Sequence, residues 1–222
     1  MGGRPPTREA ATLSSLLPHA MNPVTPVPVT AVILAGGLAR RFQGEDKGLI
    51  KLAQRPLAAW VAQRLRGHVA EVLVNANRNL GDYAALGYPV VADHLPGNPG
   101  PLAGLLAAGR TARQEWLLTV PCDVPFLPLD LAFHLHAQAL ANNLAMVRAA
   151  DETGIHYAVM LMHRSLLAKL DLFVRDGGRQ VRAWQETQPV ETVMFEGDPY
   201  AFLNVNTPVD LRTAERLARR YL

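Results

Sequence analysis

The sequence predicts a three-layer α/β fold built on a predominantly parallel, partly mixed central sheet. Three observations carry this prediction. Short apolar runs alternate with helix-patterned segments across residues 29–125, as expected when helices cover both faces of a parallel sheet. Two strand-like runs then follow in direct succession, Leu144–Ala149 and Tyr157–Leu161, which points to mixed pairing in that half. Polar and charged residues gather just after the apolar runs, where open α/β sheets bind ligands.

Taken in order, residues 1–28 read as a flexible leader. Its apolar stretch is broken by Ser14, Ser15, Pro18 and His19, and Pro23, Pro26 and Pro28 close it, so it lacks the continuous apolar region of a secretory signal. Met21 offers an alternative start. Residues 29–222 read as a single domain. Val29–Leu34 is an apolar run ended by glycines, read as a buried parallel strand. After a loop from Ala35 to Lys51, Pro56 opens a helix with Leu57, Trp60, Val61 and Leu65 on one face, closed by Gly67. Glu71–Asn75 and Pro89–Ala92 are the next strands, and a helix runs from the loop at 94–104 to about Arg113. Trp116–Val120 is a further buried strand, and Leu129–Asn142 is helical. Ser165 is read as the cap of a helix ending near Gly177 and Gly178. A short helix at Gln180–Glu186, a strand at Val190–Phe195 and a last strand at Ala201–Val205 follow. Thr207-Pro208-Val209-Asp210 reads as a capping box with proline at the first helical position.

Composition narrows the function. Of 222 residues 49% are hydrophobic, enough for a sizeable core, and the net charge is only +3. The basic residues are dispersed arginines, with only three lysines, and form no tract that would bind nucleic acid. No apolar run is long enough to span a membrane. The single cysteine, Cys122, rules out an intrachain disulfide and fits a cytoplasmic setting.

The candidate chemistry lies after the strands. Leu34, Ala35, Gly36 and Gly37 follow the first, then Arg40, Arg41, Asp46 and Lys47; Asn75 ends the second, Asp93 follows the third, Asp123 the fourth, and Asn204 and Asn206 close the last. Two glycines alone favour a tight turn, but they also let backbone N–H groups approach phosphate oxygens. The loop fits neither the Walker pattern nor the spaced glycines of the dinucleotide fold. Arginines are usually solvated, yet Lys47 and Lys51 are two of only three lysines, and an ammonium here can neutralise triphosphate charge. Asp123, between Pro121 and Pro125, reads either as a turn aspartate or as a Mg²⁺ ligand. Cys122 reads as a small buried neighbour.

Together these residues resemble the molybdenum cofactor guanylyltransferase family. The resemblance runs from about Ala31 to Asp210. It rests on Leu34-Ala35-Gly36-Gly37, then Arg41, Gly44, Asp46, Lys47 and Gly48, followed by Val74-Asn75-Ala76-Asn77, Asp93, Gly100-Pro101-Leu102-Ala103-Gly104, Pro121-Cys122-Asp123-Val124-Pro125 and Asn204-Val205-Asn206-Thr207-Pro208. Phe42-Gln43 departs from the family's more frequent Met-Gly. The resemblance implies a Rossmann-like nucleotidyltransferase fold. It implies that Leu34, Ala35 and Gly36 contact GTP, that Arg41 and Lys47 face its phosphates, and that Asn75 and Asp93 hold the nucleoside. Asp123 is implied to bind the nucleotide and Mg²⁺, with Asn204 and Asn206 on the acceptor side. The implied reaction transfers GMP from GTP to molybdopterin or molybdenum-molybdopterin with release of pyrophosphate, with cofactor-delivery or molybdoenzyme-maturation proteins as implied partners. The alternatives are a molybdenum cofactor cytidylyltransferase, a sugar-1-phosphate nucleotidylyltransferase, and a nucleotide-binding module without turnover. The second glycine of the first loop favours guanylyl transfer, since cytidylyl relatives more often carry alanine before one glycine.

Overall fold

A computed structural model describes residues 25–35, 38–39, 42, 44–93 and 100–222. The strands are β1 (Val27–Leu34), β2 (Leu38–Ala39), β3 (Glu45–Asp46), β4 (Lys51–Leu52), β5 (Arg55–Pro56), β6 (Val69–Asn75), β7 (Val90–Val91), β8 (Trp116–Pro121), β9 (Met146–Asp151), β10 (Gly154–His163) and β11 (Glu191–Met194). The α-helices are α1 (Leu57–Leu65), α2 (Leu80–Ala84), α3 (Pro101–Thr111), α4 (Leu131–Ala141), α5 (Leu167–Arg175), α6 (Val181–Glu186) and α7 (Pro208–Leu217). Seven strands form one sheet in the order β11-β9-β10-β8-β1-β6-β7. Only β10 runs antiparallel to its neighbours, so the sheet is mostly parallel and mixed in its second half, as the two successive strands predict.

The centre of the sheet is apolar on both sides. Val29, Ala31 and Ile33 of β1 enter one core with α1 and α4, while Val32 of the same strand joins another with α3, α5 and Trp184. Alternation along a strand delivers successive side chains to opposite faces, and β1 is buried on both because parallel sheets are covered by helices. Each fully buried Val, Leu or Ile contributes about 1.5–3 kcal/mol relative to exposure. A third, smaller cluster joins Trp60, Phe126, Val205 and Ala214, and it seats α7 beside α1.

Topology fixes the place of the site. The chain runs outward from β1 to β6 to β7, then returns through α3 to lay β8 on the other side of β1. Strand order therefore reverses between β1 and β8, and the crevice beyond such a reversal is the ligand position in open α/β sheets. In register, Leu34 of β1 lies opposite Asn75 of β6 on one side and Pro121 of β8 on the other, so three strand ends finish level.

Several boundaries differ from expectation. β1 begins at Val27, inside the segment read as leader; Val27 N–H donates to His68 O at 3.0 Å, and Pro28 sits where the pairing with β6 shifts register. Residues 1–24 lie outside the described residues. Ala201–Val205 is not a strand. Ala201 and Leu203 close turns onto Asp198 and Tyr200, and Val205 N–H makes a single bond to Asp123 O at 2.9 Å instead of a ladder. Its apolar residues were a sound guide to burial only: Phe202 and Val205 are buried. Ser165 is not a helix cap; it lies in a 3-10 turn at Arg164–Leu166, capped by His163, whose Nδ1 accepts from Ser165 N–H. The expected capping box at Thr207 and Asp210 is present, with Pro208 in the first turn. The sequence reading had no element at α2, a five-residue helix that buries only Tyr83.

Candidate functional site

Beyond the level ends of β1, β6 and β8, the chain turns sharply and its backbone is stitched across strands. Ala35 N–H donates to Asn75 O at 2.8 Å, and Cys122 N–H donates to Leu34 O at 3.2 Å. Val205 N–H donates to Asp123 O, which ties the segment before α7 to the turn after β8. Four stretches far apart in sequence thus share one rim.

Lys47 is the hub of that rim. It starts a 3-10 turn, Lys47–Leu49, directly after β3. Its Nζ donates to Asp123 Oδ2 and to Asn206 Oδ1. The side chains of Lys47 and Asp123 are 18% and 8% exposed, so the pair is shielded yet reachable from the crevice. Asn206 is aimed by α7: Asp210 Oδ2 accepts from Asn206 N–H at 3.0 Å and from Thr207 N–H at 2.8 Å, and Thr207 Oγ1 accepts from Asp210 N–H at 3.2 Å.

Asn75 and Asp93 form a second group on the β6–β7 side. The Asn75 amide donates to Val91 O at 3.0 Å and to Asp93 Oδ1 at 2.8 Å. Asn77 donates to Asp93 Oδ2 at 2.8 Å and accepts from Asp93 N–H at 2.8 Å. Gly104 of α3 makes room for this arrangement, since a Cβ there would fall 2.0 Å from Asn75 Oδ1. On the opposite side of Asp123, a cavity of about 220 Å³ is lined by Pro121, Val124, His156, Tyr157, Phe202 and Asn204 among others. His156 stacks on Phe202 with ring centroids 4.3 Å apart, and its Nε2 lies 3.0 Å from Asp151 Oδ1.

The structure therefore brings Leu34, Ala35, Lys47, Asn75, Asp93, Asp123, Asn204 and Asn206 to one edge of the sheet. Gly36 and Arg41, together with Gly37, Arg40 and His94, lie outside the described residues. Cys122 is buried, and burial pushes its thiol well above the usual range, with the neighbouring Asp123 adding to the effect; it is no nucleophile near neutrality. Sequence reasoning missed the hydrogen-bonding roles of Asp46, Asn77, Arg78, Asn79 and Tyr83. The signal for Asn77 was its place in the Asn-Ala-Asn motif; Tyr83 stood alone in a polar stretch and gave none.

A cation fits this chemistry. Lys47 Nζ, itself a cation, is held between a carboxylate oxygen and an amide oxygen, both hard donors. Among the described residues no group of three or more His, Cys, Asp or Glu could hold a metal. One carboxylate with an amide oxygen beside it is a sparse donor set of the kind Mg²⁺ can use, since that ion takes most of its other ligands from water and bound oxyanions.

The model of the MobA-like NTP transferase domain matches residues 31–192. A protein named molybdenum cofactor guanylyltransferase from Shewanella halifaxensis is 41% identical over 180 residues, covering 81% of this chain and 90% of that one. One of the same name from Polynucleobacter asymbioticus is 41% identical over 196 residues, covering 86% of this chain and 98% of that one. The chain belongs to the molybdenum cofactor guanylyltransferase family. Among solved structures, molybdopterin-guanine dinucleotide biosynthesis protein A from Archaeoglobus fulgidus superposes with a TM-score of 0.72 at 21% identity, covering 86% of this chain and 99% of that one. That likeness shows the fold, which is the Rossmann-like nucleotidyltransferase fold expected from the sequence. The chain is accordingly a nucleotidyltransferase of molybdenum cofactor biosynthesis. The family model ends at residue 192, so Val205, Asn206 and α7 join the site through the contacts with Asp123 and Lys47 described above, while the Asn204 amide donates to Phe202 O at 3.3 Å. Among the described residues, no helix is long and apolar enough to cross a membrane.

Proposed function

We propose that this chain transfers the GMP moiety of GTP to molybdenum-molybdopterin, forming the guanine dinucleotide cofactor and releasing pyrophosphate. One observation carries the reading: Lys47 meets Asp123 and Asn206 at the reversal of strand order, in a chain 41% identical to relatives named for guanylyl transfer. The nucleoside occupies the β1–β6 side, against Leu34, Ala35, Asn75 and Asp93. The acceptor approaches from the side of the cavity that holds Asn204. The triphosphate lies between them, over Lys47 and Asp123.

In this reaction a terminal phosphate oxygen of the acceptor attacks the α-phosphorus of GTP. One O–P bond forms, the bond from the α-phosphorus to the bridging oxygen breaks, and pyrophosphate leaves with the electron pair. The nucleophile is already an anion, so no general base is required. Rate enhancement comes from positioning and from charge neutralisation where negative charge builds up. Lys47 would turn from its Asp123 and Asn206 partners towards phosphate oxygens, and Asp123 is the residue that would hold Mg²⁺, whose charge would add to the neutralisation. Arg41, which lies outside the described residues, is the second cation proposed for the phosphates. We take the reaction to run in the cytoplasm, which the single cysteine fits, with cofactor-delivery or molybdoenzyme-maturation proteins as proposed partners.

The test is turnover with defined components. With GTP, molybdenum-molybdopterin and Mg²⁺, the protein should release one pyrophosphate per dinucleotide formed, and chelation of the metal should stop both. Pyrophosphate release without dinucleotide, or binding of GTP without any turnover, would refute the reading.

A further inference from the structure

The buried carboxylate next to Lys47 has no part in the chemistry described so far. Asp46 precedes the lysine, yet its side chain is only 2% exposed and its partners are Tyr83 of α2 and the residues just before that helix, not those of Lys47. Its Oδ1 accepts from the Tyr83 hydroxyl at 2.5 Å. Its Oδ2 accepts from Arg78 Nε at 3.0 Å and from Asn79 Nδ2 at 3.1 Å. Tyr83 is fully buried, and its hydroxyl also lies 3.3 Å from Ala35 O, at the end of β1. Gly48, the residue after Lys47, packs so closely on this ring that a Cβ would fall 2.4 Å from the Tyr83 hydroxyl.

These contacts have one geometric consequence. A buried carboxylate with three donors is fixed in position, because moving it would leave charge unpaired in a low-dielectric setting. The residues on both sides of Lys47 are thereby held against α2, while the lysine side chain points the other way. The single proton of the Tyr83 hydroxyl goes to Asp46 Oδ1, and Ala35 O at 3.3 Å is a close contact that seats the phenol beside the end of β1. We infer that α2, through Asp46 and the Tyr83 hydroxyl, is a positioning device that sets Lys47 relative to the nucleoside side of the site. Asp46, Asn79 and Tyr83 are positioning residues in this account, acting through Lys47 without touching substrate. Burial, reinforced by the Asp46 hydrogen bond, pushes the Tyr83 phenol far above its ordinary range, so the hydroxyl remains a donor at every working pH. The kinetic part of the inference rests on the guanylyl-transfer reading; the chemical part below needs no substrate.

Two variants disturb the anchor gently. Tyr83→Phe keeps the ring and deletes the hydroxyl. Asn79→Gly deletes an exposed amide and retains a residue suited to the left-handed backbone there, φ 50°. The chain has only three lysines, and Lys51 and Lys169 are exposed, so trace acylation with acetic anhydride read by mass spectrometry reports Lys47 against two internal references. Both variants should raise Lys47 acylation severalfold relative to Lys51 and Lys169, because a misplaced turn loosens the lysine from Asp123 and Asn206. Tyr83→Phe should lower kcat/KM for GTP about tenfold, as small misplacements of a catalytic group do. That loss should vanish in a Lys47→Ala background, the non-additivity expected when one residue acts through another. Unchanged Lys47 acylation in both variants would overturn the inference, as would fully additive kinetic losses accompanied only by a lower melting temperature. Increased acylation in a protein that proves not to transfer GMP would support the positioning device and remove the functional reading alone.

Discussion

Asp123 and Lys47 pair at the rim where the proposed reaction needs charge neutralised, and each can be tested singly. Asp123→Asn keeps the shape and loses the charge; turnover should fall by about 10²-fold or more while the melting temperature stays close to wild type. Near-normal Mg²⁺-dependent activity would free Asp123 from its role. Lys47→Ala should weaken GTP binding and lower kcat/KM together, since the ammonium serves phosphates present in both ground and transition states. A kcat/KM equal to that of wild type would reduce Lys47 to a structural partner of Asp123. At the β6 end, Gly104→Ala places a Cβ 2.0 Å from Asn75 Oδ1 and must push the amide off Val91 and Asp93. Overpacking of this kind costs about 1–3 kcal/mol, and the measured KM for GTP should rise more than kcat falls. Asn75, Asp93 and Asp123 were legible in the sequence because each stands at or just past the end of an apolar run, and Lys47 because lysine is rare in this chain. The anchor around Asp46 was not legible: its hydrogen bond to Tyr83 spans 37 residues, and nothing in a linear pattern pairs them.

Among the elements, α7 and β6 carry predictions of their own. The Thr207–Asp210 capping box both starts α7 and aims Asn206 at Lys47. Thr207→Ala should cost about 1 kcal/mol, the usual worth of an N-cap, seen as a drop of about 2–4 °C in melting temperature for a chain of this size. Glu71 on β6 ties β1 to the segment after α3. It accepts from Thr30 Oγ1 at 2.6 Å, from Arg113 N–H at 2.8 Å and from Arg113 Nε at 2.8 Å. Burial alone would raise its pKa, but the hydrogen bonds from the Arg113 backbone, Thr30 and the Arg113 guanidinium outweigh burial and hold the carboxyl below its ordinary value. The guanidinium is largely exposed, so the Thr30 and backbone bonds matter most. A depressed carboxyl stabilises the fold above the unfolded value of about 4.3, and the contribution is lost as pH falls through the lower folded value. Glu71→Gln should therefore lower the melting temperature at neutral pH and flatten its decline below about pH 4; an unchanged acid limb would contradict the assignment. Elements with a clear period were legible, including β1, β8, α3 and the capping box. The helix α2 was not, since five residues burying one side chain show no period. Residues 201–205 misled because burial of Phe202 and Val205 imitates a strand while the backbone bonds go to turns and to Asp123.

At the scale of the whole molecule, the reversal of strand order between β1 and β8 places the Asn75–Asp93 group on one side of Asp123 and a separate cavity on the other. Such a layout suits the proposed reaction, which joins two phosphates, and the clustering of polar residues after the strands was legible in the sequence. The choice of base is not set by the fold. It rests on the loop after Leu34 and on relatives named for guanylyl transfer. The decisive measurement is a competition assay with molybdenum-molybdopterin, Mg²⁺ and equal GTP and CTP, followed by identification of the dinucleotide by mass spectrometry. Guanine product should exceed cytosine product by well over about tenfold, equivalent to roughly 1.4 kcal/mol of transition-state discrimination. Predominantly cytosine dinucleotide, or no dinucleotide at all, would contradict the account.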